Sequence, residues 1–449
     1  MNGLASALRP KRISDWLVAL DAQLWLRAAA ALLAFVLIGV AAVWVANEIQ
    51  VRGDWPAYTD MDLYLDAARE LSHGRNPYDA PDQGLHRYPY PPLFAELIAV
   101  FAAVFGASAG YVWIVTTALF LLVSVWLMSR RFGFAAPAHL ALLGAGLLLI
   151  GRTARADLMH GQLNFMLLLL LLLGLMAWRA RRMWAAGAFW AVAICCKPFL
   201  GVVVFFLVRQ KSWKAALATV AFSAILFWSS FLPTYPNVFD TFESWRETTR
   251  HYASIEYAAN PLNQSFYALG LRLFTSNDYS EAWLIATPLA LALLALAAVV
   301  AIATFWIIAA PGRAAAPDEA GAFDLLRFGA ALAALLSIGP VTEGDHMFMV
   351  LPGVVGAMAL TWRRIRADSP RQGLWIAMAT AWLVLALVLA WPRQLLLYFG
   401  DESTWVHLRG AGILLSGAYG VLLLTAAVFT AIVIRREFAV TRPGRPAAA

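Results

Sequence analysis

Apolar runs of about 15–25 residues, split by short basic or polar clusters, repeat along most of this chain. A run of ~17–25 apolar residues is long enough to cross a bilayer as a helix. The pattern therefore predicts an all-α polytopic membrane protein. Lys and Arg clusters mark the cytoplasmic side. Arg9, Lys11 and Arg12 precede a span at 28–48, so residues 49–90 are placed outside. The next basic pair is Arg130 and Arg131, which leaves one crossing at 109–128. The segment 91–106 is then a short helix that does not cross, begun by Pro91 and Pro92.

Spans follow at 137–151 and 163–178, ending at "RARR". The run 184–208 has basic clusters at both ends, which a single crossing cannot satisfy. It reads as a hairpin of two short helices turning at Lys197-Pro198 toward the outer side. Further spans are expected at 214–232, 282–309, 325–340, 346–361, 374–391 and 410–434. The expected total is about twelve crossings with both termini cytoplasmic. Residues 1–434 make one transmembrane domain, and 435–449 a flexible cytoplasmic tail.

Composition agrees with this reading. Of 449 residues, 61% are hydrophobic and 14% charged, against roughly 25% charged in soluble domains. The net charge of +7 sits in topogenic clusters and does not point to nucleic acid. Cys195 and Cys196 are adjacent within an apolar run, so no disulfide framework or zinc spacing is present. The N-terminus lacks the form of a cleavable signal peptide, and no internal repeat is seen.

With this topology the unusual polar residues fall on the outer side, which suggests a site there. They are the 52–90 loop, "GRTARADLMHGQLN" at 151–164, Lys197, "NPLNQS" at 260–265 and "TEGDH" at 342–346. At ~100° per residue, a helix over 59–71 places Asp60 on its apolar face beside Tyr64. Asp62 and Asp66 fall on the solvated face. Asp60 either caps that helix or points at protein for a chemical reason. Lys197 either snorkels to the interface or meets an anionic head group. His346 is either a packing histidine or a ligand-binding one. Arg152 and Arg155 flank a span mouth, at the interface or against phosphate. Gln162 and Asn164 either cap the next span or bond a sugar. Asp60-Met61-Asp62 is not a metal-binding pair, because on a helix the two side chains diverge by ~200°. No Rossmann unit or metal-binding cluster accompanies it.

Four stretches together resemble glycosyltransferase family 87 of the GT-C superfamily. They are "DMDLYLDAARELSHGRNPYD" at 60–79, "YPYPPLF" at 88–94, "GQLN" at 161–164 and "AGAFWAVAICCKPFLGVVVFFLVRQKSW" at 186–213. They span about a third of the chain. In the last third only His346 and Pro352 fit the pattern. The resemblance implies a GT-C-like fold with an extracytoplasmic first-loop helix. It also implies inverting transfer of a sugar, mannose by default, from a polyprenyl-phosphate-linked donor to a lipid or glycan acceptor outside the plasma membrane. Asp60 would be the general base. Lys197 and His346, with Arg152 or Arg155, would hold the leaving phosphate. Tyr64, Tyr88, Gln162, Asn164, Asn263 and Gln264 would complete the binding site, with no metal or cofactor. Arabinofuranose is the alternative sugar. A lipid-linked-sugar transporter or flippase and a polymer ligase are the alternative classes; a transporter often shows inverted repeats and midplane breaks.

Overall fold

The computed structural model describes residues 60–79, 87–131, 152–312, 317–342, 344–366, 371–390 and 417–437, with a few isolated positions elsewhere. The spans expected at 28–48 and 137–151, the loop 392–409 and the tail after 437 lie outside these residues. What is described is helical, and its one β feature is an isolated bridge between Asn277 and Ser280.

The helices are α1 (Asp60–Ser72), α2 (Pro92–Phe105), α3 (Ala109–Arg131), α4 (Arg152–Met159), α5 (Asn164–Arg179), α6 (Met183–Cys196), α7 (Val202–Arg209) and α8 (Trp213–Ser229). They continue as α9 (Val238–Tyr252), α10 (Phe266–Phe274), α11 (Thr287–Ile308), α12 (Ala320–Leu336), α13 (Leu351–Arg366), α14 (Gln372–Ala390) and α15 (Ala418–Glu437). Four described stretches are long and apolar enough to cross a membrane: Pro92–Arg130, Trp213–Thr234, Thr287–Ile308 and Phe348–Ile365. The shorter apolar helices are Asn164–Arg179, Met183–Cys196, Pro198–Arg209 and Gln372–Ala386. This is a helical membrane protein.

The first of those stretches is not one rod. Gly106, at φ 55°, separates α2 from α3. Phe94 and Phe101, two turns apart on α2, both pack against Trp113 near the start of α3, with ring centroids 6.0 and 5.5 Å away. The short helix therefore lies across one end of α3.

The chain doubles back at Lys197. Ser212 at the foot of α8 lies beside Met183 at the foot of α6, and it accepts a 2.9 Å hydrogen bond from the Trp178 indole. Further along, Gly187 abuts Ala218, and the Cys195 thiol donates to the Ser223 carbonyl at 3.4 Å. So α6 and α8 run in the same direction, and α7 is the return arm between them. Lys197 is extended, at φ −133° and ψ 100°, and Pro198 opens a 3₁₀ turn through Gly201. Proline's missing N–H and fixed φ make this a low-cost place to break a helix.

The basic foot of that hairpin is one end of the bundle. Arg179 pairs with Asp324 at 3.6 Å. Arg363 with Asp318, Arg364 with Glu319 and Arg371 with Glu437 complete a belt across α5, α12, α13, α14 and α15. The end of α11 is sealed there by side chains. Arg209 donates to the Trp306 carbonyl, Gln210 to Ala309, and Arg327 to Ile308 and Ala310. Helix C-termini leave four carbonyls unsatisfied, and basic side chains suit them.

Between the ends the helices approach closely through small residues. A Cβ on Gly329 of α12 would lie 2.1 Å from the Gly353 nitrogen of α13. Packing of this kind replaces the hydrophobic effect between helices in lipid. The other end carries α1, α4, the Gly344–Val350 turn and the two helices α9 and α10. These last two fall inside what the sequence pattern treats as one outer loop, 233–281. They also shorten the next span. Residues 275–286 fold back on α10, with Trp283 N–H bonding Leu273 O at 3.0 Å and Ala286 N–H bonding Phe274 O at 2.9 Å. As a result α11 starts at Thr287 and not at 282.

Candidate active site

The site begins with the turn that ends α4. The Gln162 N–H bonds the Asp157 carbonyl at 2.8 Å, and the Gly161 N–H bonds the Leu158 carbonyl at 3.1 Å. This six-to-one, five-to-two pair is a Schellman ending, with Gly161 in the left-handed region at φ 68°. The adjacent His160 carbonyl accepts from the Met61 N–H at 3.0 Å, which docks the start of α1 on the turn. Trp113 closes the other side, donating to the Gly161 carbonyl at 2.7 Å. A Cβ at 161 would lie 2.7 Å from Met61 Cβ. Gly161→Ala is therefore expected to cost about 1–3 kcal/mol from backbone strain, with the clash added. It should lower the thermal unfolding temperature in detergent and reduce turnover, because both arms of the turn lose their aim.

Those arms are Gln162 and Asn164. The Gln162 amide donates to Asp60 Oδ2 at 2.5 Å, and its Oε1 accepts from the Tyr64 hydroxyl at 3.4 Å. The Tyr64 and Tyr90 hydroxyls are 3.3 Å apart. Asn164, fully buried, donates to Asp157 Oδ1 at 2.6 Å and accepts from Lys197 Nζ at 2.9 Å. Lys197 Nζ also lies 2.8 Å from His346 Nε2. An ammonium has only donors, so this imidazole nitrogen is the acceptor. The Lys197 nitrogen stands 5.6 Å from the centroid of the Tyr90 ring. Phe199 packs on the His346 ring at 5.4 Å.

Two groups of opposite character thus share one end of the bundle. One is a half-buried carboxylate held by an amide. The other is a buried lysine, 3% exposed, in contact with a histidine and an amide oxygen. Gln162 and Asn164, two residues apart, join them. Asp60 is the first residue of α1, and its carboxylate reaches across the chain to Gln162. Thr59, which precedes α1, lies outside the described residues. Asp62, also half-buried, is the second acidic residue of that turn.

Other residues named from the sequence are placed differently. The Tyr88 hydroxyl donates to the Pro91 carbonyl at 3.1 Å, and burial raises its pKa well above the usual phenol value. Its contacts hold the Tyr-Pro-Tyr-Pro-Pro turn, and the tyrosine facing Lys197 is Tyr90. Asn263 is absorbed by its own loop. Its amide donates to Ala258 O at 3.0 Å and Pro340 O at 2.7 Å, and its Oδ1 accepts from the Ser265 and Thr342 N–H groups. Gln264 donates to the Pro261 carbonyl at 2.5 Å, and its main-chain N–H to Thr342 O at 2.6 Å. Arg272 locks the same loop through the carbonyls of Ala259, Asn260 and Asn263. Burial lowers its pKa to about 9. These bonds tie the loop 260–265 to the segment leading to His346. Arg152 and Arg155 belong to α4, and their side chains lie outside the described residues, as do those of Glu343 and Asp345.

Asp157 and Tyr90 are site residues that the spacing did not single out. Asp157 did leave a signal. A carboxylate in the last turn of a helix opposes the helix dipole and needs a local reason. Among the described residues no group of three His, Cys, Asp or Glu is arranged to hold a metal ion.

Two curated proteins align with this chain, each an "Alpha-(1->3)-arabinofuranosyltransferase" of Mycobacterium tuberculosis, from strains CDC 1551 / Oshkosh and ATCC 25618 / H37Rv. Each is 27% identical over 216 residues, covering 44% of this chain and 48% of theirs. The match therefore spans about half the length of these relatives. Asp60 and His346 lie outside residues 88–338, whereas Tyr90, the Asp157–Asn164 turn and Lys197 lie within them. The profile of glycosyltransferase family 87 matches residues 88–338, more than half of the chain, and the chain belongs to that family.

Proposed function

We propose that this membrane glycosyltransferase takes its sugar from a polyprenyl-phosphate-linked donor and passes it, with inversion, to a lipid or glycan hydroxyl on the outer face of the plasma membrane. The observation that carries this reading is that Gln162 and Asn164 of one turn hold Asp60 and the Lys197–His346 contact at the same end of the bundle, opposite the basic belt. Basic residues favour the cytoplasmic side, so the opposite end is outside.

In this reading the acceptor oxygen attacks the anomeric carbon and its proton passes to Asp60. The carbon–oxygen bond to the phosphate breaks, and its electron pair stays on the phosphate oxygen. Lys197 balances the charge that grows there as the lipid phosphate leaves, and His346, accepting from it, helps to orient it. Hydrogen-bond donors fixed where charge develops are worth most in a water-poor site. Gln162 holds the carboxylate in place, so no ordering is needed during the reaction. The hairpin arms also suit a membrane-borne substrate. At 1.5 Å per residue, α6 is ~21 Å long, short of a ~30 Å hydrocarbon core. A tip with Lys197 that stops short of the outer interface leaves room above it for a lipid headgroup to enter from the outer side.

Mannose is the sugar that the family resemblance implies. The arabinofuranosyltransferase activity of the two aligned relatives favours arabinofuranose as a second reading. Purified protein in proteoliposomes, offered each polyprenyl-phosphate-linked sugar in turn with a membrane-lipid extract as acceptor, distinguishes them. Transfer from one donor is expected, with the anomeric configuration inverted in the product. Transfer should survive EDTA, because Lys197 supplies the positive charge at the phosphate. Movement of intact donor across the bilayer without a new glycosidic bond would overturn the reading in favour of a transporter, and a strict need for added Mg²⁺ or Mn²⁺ would overturn the role given to the lysine–histidine pair.

A further inference from the structure

Asp157 is a carboxylate in the last turn of α4, 1% exposed, and the catalytic scheme above does not use it. Its Oδ1 accepts from Asn164 at 2.6 Å, and Asn164 turns its own oxygen to Lys197 at 2.9 Å. An ionised carboxylate offers only acceptors, so it dictates which end of the amide faces it. The NH₂ group must point to Asp157, and the oxygen must then point to the lysine. Without that constraint Asn164 could present either end, and its NH₂ group would oppose an ammonium.

The order of the three residues also matters. A buried cation needs compensation, but a carboxylate placed directly on Lys197 would occupy the position of an anionic ligand. The amide keeps the negative charge one residue away and still accepts from the lysine. Lys197 therefore stays oriented by Asn164 on one side and His346 on the other, with donor capacity left over.

Resting on the reading of Lys197 as the phosphate-binding group, we propose that Asp157 is a positioning residue for the donor phosphate. By fixing the Asn164 amide it aims Lys197 while holding its own charge away from the ligand. The ligand class is a lipid phosphate ester. Asp157 does not touch the reacting atoms.

The test uses full-length protein in detergent, farnesyl phosphate as probe and farnesol as the uncharged control. Asp157→Asn is expected to weaken farnesyl phosphate binding about tenfold, the scale of one charge-assisted hydrogen bond, and to leave farnesol binding unchanged. Asp157→Glu should restore part of the loss. Asn164→Asp should weaken the probe at least as much, because it sets a carboxylate directly against Lys197. Lys197→Ala runs beside them. If Lys197→Ala binds the probe like the wild type, the phosphate reading itself fails and takes this proposal with it. If Lys197→Ala loses binding while Asp157→Asn stays within twofold of wild type, the positioning role alone is overturned. An equal loss for farnesol would also overturn it, as a general structural effect. Should Asp157→Asn not yield folded protein, Asn164→Asp decides: wild-type affinity there rejects the proposal, and a selective loss of farnesyl phosphate supports it.

Discussion

Asp60→Asn is expected to lower turnover by about 10²–10⁴-fold, the range over which general-base catalysis operates. The substitution keeps size and shape. Its amide can still accept from Gln162 through its oxygen, so the 2.5 Å contact that joins α1 to the turn after α4 has a replacement. The apolar anchoring of α1 by Met61, Tyr64, Ala67, Ala68 and Leu71 does not involve the carboxylate. On the proposed role of Asp60, what is lost is the capacity to take the acceptor proton as the new glycosidic bond forms. The loss should appear in kcat at saturating donor, with donor affinity near wild type, because the proposed phosphate contacts are those of Lys197 and His346 and not of Asp60. Asp62→Asn removes the second carboxylate of the same turn and should be milder. The measurement is transfer of labelled sugar by reconstituted protein, alongside binding of the donor. Near-wild-type turnover in Asp60→Asn would dismiss Asp60 as the base.

How far the chain declares this site depends on which interactions make it. The alternation of apolar runs and basic clusters carries the helices and the doubling back at Lys197, because insertion energetics act on composition and local charge. Gly161 is legible in the same way, since a glycine followed by a new apolar run marks a helix ending. Gln162 and Asn164 are readable as site candidates but not as partners. Their bonds to Asp60 and Lys197 cross about 100 and 30 residues of chain, and no local pattern encodes that. Asn263 and Gln264 show the converse. Amides in an outer loop look like sugar ligands, yet a buried loop must satisfy its own main chain first, and Asn263 serves four such groups. Tyr88 and Tyr90 are equivalent in the sequence motif. Only the packing of the turn on α1 sends one hydroxyl to Pro91 and the other toward Tyr64. The helices α9 and α10 were hidden for a different reason. On α9 a polar face rich in Asp, Glu and Arg dilutes the apolar signal that marks a span, whereas α10 is apolar but only nine residues long, too short to read as one.

Lys197→Ala is expected to weaken donor binding by about ten- to a hundredfold, since a hydrogen bond to a charged group contributes about 1.5–3 kcal/mol. Truncation also leaves Asn164 Oδ1 and His346 Nε2 without the donor that joins them, so some loss of thermal stability should accompany it. Lys197→Arg separates the two effects. It keeps the charge, but a planar guanidinium cannot reproduce a point donor set between an amide oxygen, an imidazole and the Tyr90 ring. Partial donor affinity is therefore expected, above the alanine variant and below wild type. The position of the tip can be tested independently. Lys197 is too buried for a thiol reagent to report on, whereas Phe199, two residues on, is 37% exposed. Phe199→Cys, in a background with Cys195 and Cys196 replaced, should react with an impermeant maleimide added outside intact cells. Bound donor should slow that reaction, because Phe199 packs on the His346 ring, where the donor phosphate is proposed to lie. Labelling from the cytoplasmic side alone would place the hairpin tip on the wrong face and remove Lys197 from the donor site.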